Sequence, residues 1–495
     1  MGRGIAQIIS NSGMEVRLFD VQPYAAERAK RAVLAIFATL VGKGRMTREE
    51  ADSAGARLTA VSSENELAGC DLVIEAIVEN LVAKQELFKR LEAIVGETCI
   101  LATNTSSLSV TAIASACARP SRVAGFHFFN PVPLMKVVEV VPGLLTDPQI
   151  LESLVELARR AGHHPALTAD TPGFIVNHAG RGYGTEALTI LQEGVADFAE
   201  IDRILREAAG FRMGPFELLD LTGLDVSHPV MESIYAQFYQ EPRYRPSYRL
   251  RQRLAAGLLG RKSGEGFYSY SDGIRCEKPS ASTPIPSKRY RVWTNSRALA
   301  AIVEAASWPL DHHSREPSPE SLCLIAHWGS DATSSSIQLG LDAKRTVAVD
   351  PIFDYTGRRT AMTTPLTTSD YRDQAHAVLA ADGTPVSVIG DSPGFVVQRV
   401  IANIVNTACE IAQQRIASPR DIDEAVMLGL GYPWGPLALG DRIGPHRLLT
   451  ILETILEITG DPRYRPSLWL SRRARLGISL LSEPTSHNEL FEVSP

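Results

Sequence analysis

His127 and Glu139 are the two residues whose types and spacing point most directly to chemistry. They stand 12 residues apart, His127 in HFFNP (127–131) and Glu139 in KVVEVV (136–141), and the intervening NPVP can turn one strand back antiparallel to the other. A carboxylate held against an imidazole fixes its tautomer and stabilises the imidazolium, which is what a base that removes a hydroxyl proton needs. A lone histidine is more often structural, and a lone strand glutamate is more often an exposed charge. Glu139, however, lies among Val137, Val138, Val140 and Val141. A carboxylate there is costly to bury without a partner, and His127 supplies one.

Two further groups sit near this pair in the chain. Glu79 follows DLVIEAI (71–77), NTSS (104–107) closes CILATN (99–104), and HFFNP follows RVAGF (122–126). All three fall at the carboxyl ends of predicted parallel strands, where open α/β sheets bind their ligands. The opening MGRGIAQIISNSGMEVRLFD adds Gly2 at a helix start and Asp20 at the end of the next strand. Backbone N–H groups at such a helix start can hold a pyrophosphate, and the carboxylate can accept ribose hydroxyls. The same carboxylate repels a 2′-phosphate, so NAD is expected over NADP. If Gly2 is the third glycine of this fingerprint, the first two glycines and their strand stand upstream of Met1. The domain is then expected to be N-terminally incomplete.

The elements that must position these residues read as a doubly wound α/β domain over 1–169. Its strands are predicted at EVRLFD (15–20), DLVIEAI, CILATN, RVAGFHFF (122–129) and KVVEVV, with helices such as Ala25–Val41 and Val82–Val95 between them. From TPGFIVN (171–177) the pattern turns helical, giving an all-α domain over 170–272. Residues 273–290, rich in Pro, Ser and charge, read as a linker. The second half then echoes the first at an offset of about 221 residues. SPGFVVQ (392–398) matches TPGFIVN, GYPWGPLALGDRIG (431–444) matches GFRMGPFELLDLTG (210–223), and PRYRPS stands at both 242–247 and 462–467. A second all-α domain is expected over 392–484. The two copies are expected to pack as an internal pseudo-dimer, with a homo-oligomer of whole chains still open. Between them, 291–391 shows strand-like SLCLIAHWG (321–329) and RTVAVDPIF (345–353), too few for a full dinucleotide sheet, so a reduced α/β domain is expected.

Composition narrows the partners. The 495 residues carry 50 Lys and Arg against 56 Asp and Glu, a net charge of −6, so no basic excess points to nucleic acid or a membrane surface. Six scattered cysteines without CxxC pairs, and no long apolar run, fit a soluble cytoplasmic protein. His312, His313 and His327 lack a third ligand at metal spacing, so no metal is expected. The arginine cluster at 243–253 reads as a solvated or subunit-contact face.

Taken together, VIEAIVENLVAKQELF (73–88), NTSSL (104–108), HFFNPVPLMKVVEVV (127–141), DTPGFIVN (170–177) and GRKSGEGFY (260–268) resemble the L-3-hydroxyacyl-CoA dehydrogenases, in particular their bacterial two-copy type. The resemblance implies an incomplete Rossmann-like N-terminal domain, then duplicated all-α C-terminal domains with the reduced α/β domain between them. It implies NAD-dependent oxidation of the 3-hydroxyl of a (3S)-3-hydroxyacyl-CoA. His127 would be the general base and Glu139 its orienting partner; Ser106 and Asn177 would hydrogen-bond the reacting oxygen. Gly2, Asp20, Glu79, Lys84, Asn104, Asn130 and Lys262 would contact the cofactor, and Lys43 would contact coenzyme A.

The second half departs from that pattern. Gln398 stands where Asn177 stands in the first copy, and nothing after 290 resembles NTSS followed by HFFNP, so one active site per chain is expected. GEGFY has no counterpart in ARLGISLLSEP (474–484), so the second copy is expected to end differently. The alternatives are a catalytically silent CoA-binding or structural relative, which the missing strand favours, and a sugar-acid dehydrogenase, which the NTSS and HFFNP pair weighs against.

Overall fold

The protein is seen here as a computed structural model that describes residues 1–276, 282–286, 288–312 and 316–483. Part of the expected linker (277–281 and 287), His313, and residue 484 at the end of the second helical segment lie outside the described residues. The chain forms two compact units. The first is Met1–His178 together with Gln414–Gly431, and the second holds Ala179–Gln413 and the residues from Tyr432.

In the first unit, a helix over Gly2–Asn11 leads to β1 (Val16–Leu18), which pairs in parallel with β2 (Leu58–Ala60). A separate five-stranded ladder joins β3 (Leu72–Glu75), β4 (Ile100–Thr103), β5 (Val123–Phe128), β6 (Val137–Pro142) and β7 (His164–Leu167) in that order. Its pairs are parallel except β5 with β6, which the NPVP turn makes antiparallel. Every residue of β5 is buried, and so are Val137–Val141 of β6. Continuous β-branched and aromatic runs suit strands covered on both faces. Phe126, Phe128, Val138 and Val140 pack with Ile5 and Ile8 of the first helix and with Leu154 and Ala158 of helix Pro148–Arg160.

Five of these strands were legible in the sequence; β2 and β7 were not. β2 is three residues long, and β7 contains Pro165, which removes a donor and is tolerated because β7 is the sheet's edge.

The second unit holds helices Arg181–Gln192, Phe198–Glu207, Pro215–Thr222 and Leu224–Gln237, and later Val396–Gln413, Pro436–Ile443 and Pro445–Thr459. Helix Arg181–Gln192 packs along Val396–Gln413. There the buried Arg399 donates to Glu186 at 2.8 Å, and Tyr464 Oη donates to the same carboxylate at 2.8 Å. Coulombic attraction from Arg399 and Arg463 and the Tyr464 hydrogen bond outweigh burial and hold Glu186 below its usual value. The arginine cluster is only partly solvated: Arg243 is buried, pairing with Glu410 at 3.0 Å and donating to the Arg465 carbonyl at 2.7 Å.

The same unit contains a second five-stranded ladder, Val292–Thr294, Leu322–Ile325, Thr346–Val349, Arg359–Thr363 and Val386–Ile389. The sequence showed two of these strands. Of the other three, Val292–Thr294 is only three residues long, and Arg359–Thr363 carries polar residues in place of an apolar run. The pairing follows the order parallel, parallel, antiparallel, parallel, as in β3–β7. The two copies end in unlike tails on carboxylates at matching positions: Asp220 accepts the N–H groups of Phe267 and Tyr268, and Asp441 accepts that of Leu480 at 2.7 Å.

Candidate active site

The antiparallel register sets His127 directly opposite Glu139. Their side chains meet with Nδ1 2.6 Å from Glu139 Oε2, and both are buried, Glu139 completely. A bond from Nδ1–H to the carboxylate leaves Nε2 as the nitrogen that can take a proton. The other carboxylate oxygen, Oε1, accepts the backbone N–H groups of Ile175 and Val176, each at 2.9 Å. Those donors come from the TPGFIVN turn, where Gly173 (φ 79°) and Phe174 (φ 50°) are both left-handed. A left-handed phenylalanine is uncommon and is held here by burial, its ring 5.8 Å from that of His127. The turn thus supplies the donors that make a buried carboxylate tolerable.

NTSS forms the adjacent wall. Glu79 Oε1 accepts from Thr105 Oγ1 (2.7 Å), from the N–H groups of Ser106 (2.9 Å) and Ser107 (3.0 Å), and from Ser107 Oγ (3.0 Å). Burial alone would raise the Glu79 carboxyl, but these bonds and the Lys84 charge 3.3 Å away hold it below its usual value. Asn104 Oδ1 accepts the Phe128 N–H at 2.8 Å, tying the end of β4 to the end of β5. Asn177 Nδ2 donates to the Ser106 carbonyl at 3.4 Å. Ser106, Glu79, Asn104, His127, Glu139 and Asn177 are therefore gathered at one end of the sheet. Asn130 is exposed beside them, preceding Pro131 through a cis peptide.

Of the other expected site residues, Lys84 adjoins this cluster through Glu79, whereas Lys43 and Lys262 lie apart from it. Lys84 is 1% exposed and bonds Glu75 Oε1 at 2.6 Å, so its ammonium faces protein carboxylates. Lys43 is exposed just past helix Ala25–Gly42. Lys262 lies in the second unit, paired with Asp225. Sequence reasoning missed Glu75, Thr105, Ser107 and the Ile175 and Val176 N–H groups. Glu75 carried the same signal as Glu139, a carboxylate inside an apolar strand.

Gly2 and Asp20 fit a dinucleotide. The N-terminal N–H groups of helix Gly2–Asn11 have no side-chain cap, and a Cβ built on Gly2 would meet nothing within 4 Å, so its backbone is open to approach. Asp20 is exposed just after β1, with Oδ1 accepting the Gln22 N–H at 2.8 Å.

The second ladder has no equivalent chemistry. Its register puts Asp350 opposite Thr360, where β5 and β6 put His127 opposite Glu139. Gln398 fills the position by donating to Asp350 Oδ1 (2.9 Å) and to the His327 carbonyl (3.1 Å). Burial pushes Asp350 up to about 7 and the His327 imidazole down to about 4. Among the described residues, no group of three or more His, Cys, Asp or Glu gathers to hold a metal, and no helix is long and apolar enough to cross a membrane.

An uncapped helix start before β1, with a histidine–carboxylate pair at the sheet's carboxyl edge, is the arrangement expected of a Rossmann-like nucleotide-linked oxidoreductase. Comparison with known proteins narrows this. Residues 1–171 match the 3-hydroxyacyl-CoA dehydrogenase NAD binding domain, and residues 173–270 and 394–479 match the 3-hydroxyacyl-CoA dehydrogenase C-terminal domain. The chain is 37% identical over 480 residues to 3-hydroxyadipyl-CoA dehydrogenase of Escherichia coli K12, covering 96% of each. It is 41% identical to the mitochondrial hydroxyacyl-coenzyme A dehydrogenase of Sus scrofa over 54% of this chain and 88% of that one. The crystal structure of 3-hydroxybutyryl-CoA dehydrogenase from E. coli K12 superposes with a TM-score of 0.84 at 36% identity, covering 96% of both chains. The chain belongs to the 3-hydroxyacyl-CoA dehydrogenase family, and it is an NAD-dependent oxidoreductase with a Rossmann-like NAD-binding domain and a helical C-terminal domain.

Proposed function

We propose that the chain interconverts a (3S)-3-hydroxyacyl-CoA and its 3-oxoacyl-CoA with His127 as the general base. The observation that carries this reading is the buried chain of bonds from the Ile175 and Val176 N–H groups through Glu139 to His127 Nδ1. In the oxidative direction Nε2 takes the hydroxyl proton, and the C3–O bond becomes a carbonyl as the C3 hydrogen leaves with its electron pair. NAD+, when bound, supplies the hydride acceptor. Glu139 keeps the imidazole in the right tautomer and stabilises its protonated form. The Ser106 hydroxyl and the Asn177 amide hydrogen-bond the reacting oxygen. Glu79 and Asn104 hold the loop that carries Ser106. Gly2, Asp20, Lys84, Asn130 and Lys262 are the proposed remaining cofactor contacts, and Lys43 the coenzyme A contact.

Three finer readings accompany it. The helical copies pair as an internal pseudo-dimer, supported by the packing of Arg181–Gln192 on Val396–Gln413 and of turn Pro242–Tyr244 on Pro462–Tyr464. The β1–β2 pair and the β3–β7 ladder serve one NAD-binding domain, supported by their common place in the first unit and the family match over 1–171. The enzyme works in the cytoplasm on short or medium acyl-CoAs.

The test is reduced-cofactor oxidation with acetoacetyl-CoA and 3-oxoadipyl-CoA. NADH is expected to turn over, with NADPH at least about tenfold slower because Asp20 repels a 2′-phosphate. A folded protein that oxidises NADH with neither acyl-CoA contradicts the reading and favours a silent relative.

A further inference from the structure

Glu139 is backed not only by its own domain but also by a helix that begins 280 residues further along the chain. Segment Gln414–Gly431 belongs to the same compact unit as the catalytic sheet. It is fastened there in three ways. The Ala169 N–H donates to the Ile416 carbonyl at 2.8 Å. His164 of β7 stands between Glu424, 3.0 Å from Nδ1, and Asp421, 3.5 Å from Nε2. Helix Pro419–Leu430 packs against both β6 and β7.

The closest approach of that helix is at Gly429. A Cβ built there would stand 3.0 Å and 3.1 Å from the two γ-methyls of Val176 and 3.3 Å from Cγ1 of Val137. Each of these valines flanks Glu139. Val176 is fully buried and gives its N–H to Glu139 Oε1, and Val137 precedes Glu139 by two residues on the same face of β6. Any side chain at 429 must move one of them by a few tenths of an ångström. The bonds it would disturb are the ones that aim the carboxylate at His127 Nδ1.

The geometry points to Gly429, and the helix that carries it, as a positioning element for the catalytic pair. The missing side chain lets the helix press on Val176 and Val137 and fix the N–H cradle of Glu139. The contacts of Gly429 fall on Val176 and Val137, so the effect is assigned to the Glu139 cradle, and the cycle with Glu139→Gln separates it from any shift of the neighbouring Asn177. The inference rests on the reading of His127 and Glu139 as base and orienting carboxylate.

The experiment is a double-mutant cycle on the full chain with saturating NAD+ and (3S)-3-hydroxybutyryl-CoA, using Gly429→Val, Glu139→Gln and their combination. Gly429→Val is expected to lower kcat by at least about tenfold, with both KM values changing less than about twofold. In the Glu139→Gln background the same change is expected to lower kcat less than about twofold further, because the carboxylate it acts through is gone. If Gly429→Val does not fold, Gly429→Ala replaces it in the cycle, and adding Val176→Ala, which opens the space a Cβ needs, is expected to restore most of its kcat. Additive losses, a wild-type kcat for the Gly429 variants, or no recovery with Val176→Ala overturn the inference. A wild-type kcat for Glu139→Gln itself overturns the underlying base reading, so the two failures are distinguishable.

Discussion

His127→Gln is expected to lower kcat by about 10² to 10⁴-fold, the usual contribution of a general base. Gln preserves a polar side chain of similar reach but cannot take the hydroxyl proton. Because His127 lies opposite Glu139 in the β5–β6 ladder, the substitution leaves the strand pairing intact. The KM for NAD+ is therefore expected to stay within about threefold, which separates loss of chemistry from loss of binding. Steady-state kinetics with (3S)-3-hydroxybutyryl-CoA check this. Turnover within about threefold of wild type would remove His127 from the mechanism.

Lys84→Met is expected to destabilise the first unit by about 3–5 kcal/mol, the range for stripping one partner from a buried ion pair. The Lys84 ammonium lies 2.6 Å from Glu75 and 3.3 Å from Glu79, and the Glu75 side chain is wholly buried. Glu75 also accepts from Thr103 Oγ1 and from the Ile77 N–H, both at 2.7 Å, so the carboxylate is fixed in place and cannot turn to water. Met keeps the length of the aliphatic stem and removes only the charge. A thermal melt should show the transition of this unit lowered by roughly 10 °C, and adding Glu75→Gln should recover part of that loss. An unchanged melt would mean that Lys84 does not stabilise the fold. It would then favour a role at the cofactor alone.

How much of this was legible in the sequence follows from the physics of each feature. The His127–Glu139 pair was readable because a carboxylate in a valine run has few ways of being tolerated, and the NPVP turn made one of them local. Glu75 offered the same signal in LVIE and was passed over, since its partner Lys84 sits on the following helix at a spacing with no motif of its own. The second ladder was only half visible. Its strands are three to five residues long, and its fourth strand, RTAMT, places Arg359 and Thr360 inside, with Arg359 donating to Asp382. The role of Gly429 was not readable at all. A glycine near a helix end looks like a cap, and only the close approach to Val176 and Val137 shows what its missing side chain permits.

Repetition was the most informative signal for architecture, and register was the most informative for function. The motif repeats locate two helical segments, whereas the two ladders show which repeat has a histidine–carboxylate pair: β5 and β6 set His127 against Glu139, and the second ladder sets Asp350 against Thr360. Gln398 then ties Asp350 to the His327 carbonyl, where the first copy has Asn177 beside Ser106. One histidine–carboxylate pair and one amide-bridged counterpart among the described residues fit the proposal of a single catalytic centre.

The most direct measurement follows the hydrogen from C3. The protein is incubated with NAD+ and (3S)-3-hydroxybutyryl-CoA deuterated at C3, and the NADH formed is examined by mass spectrometry and NMR. The account predicts one deuterium at C4 of the nicotinamide for each 3-oxoacyl-CoA produced. NADH without deuterium, or no NADH from a folded and NAD-binding protein, would contradict it.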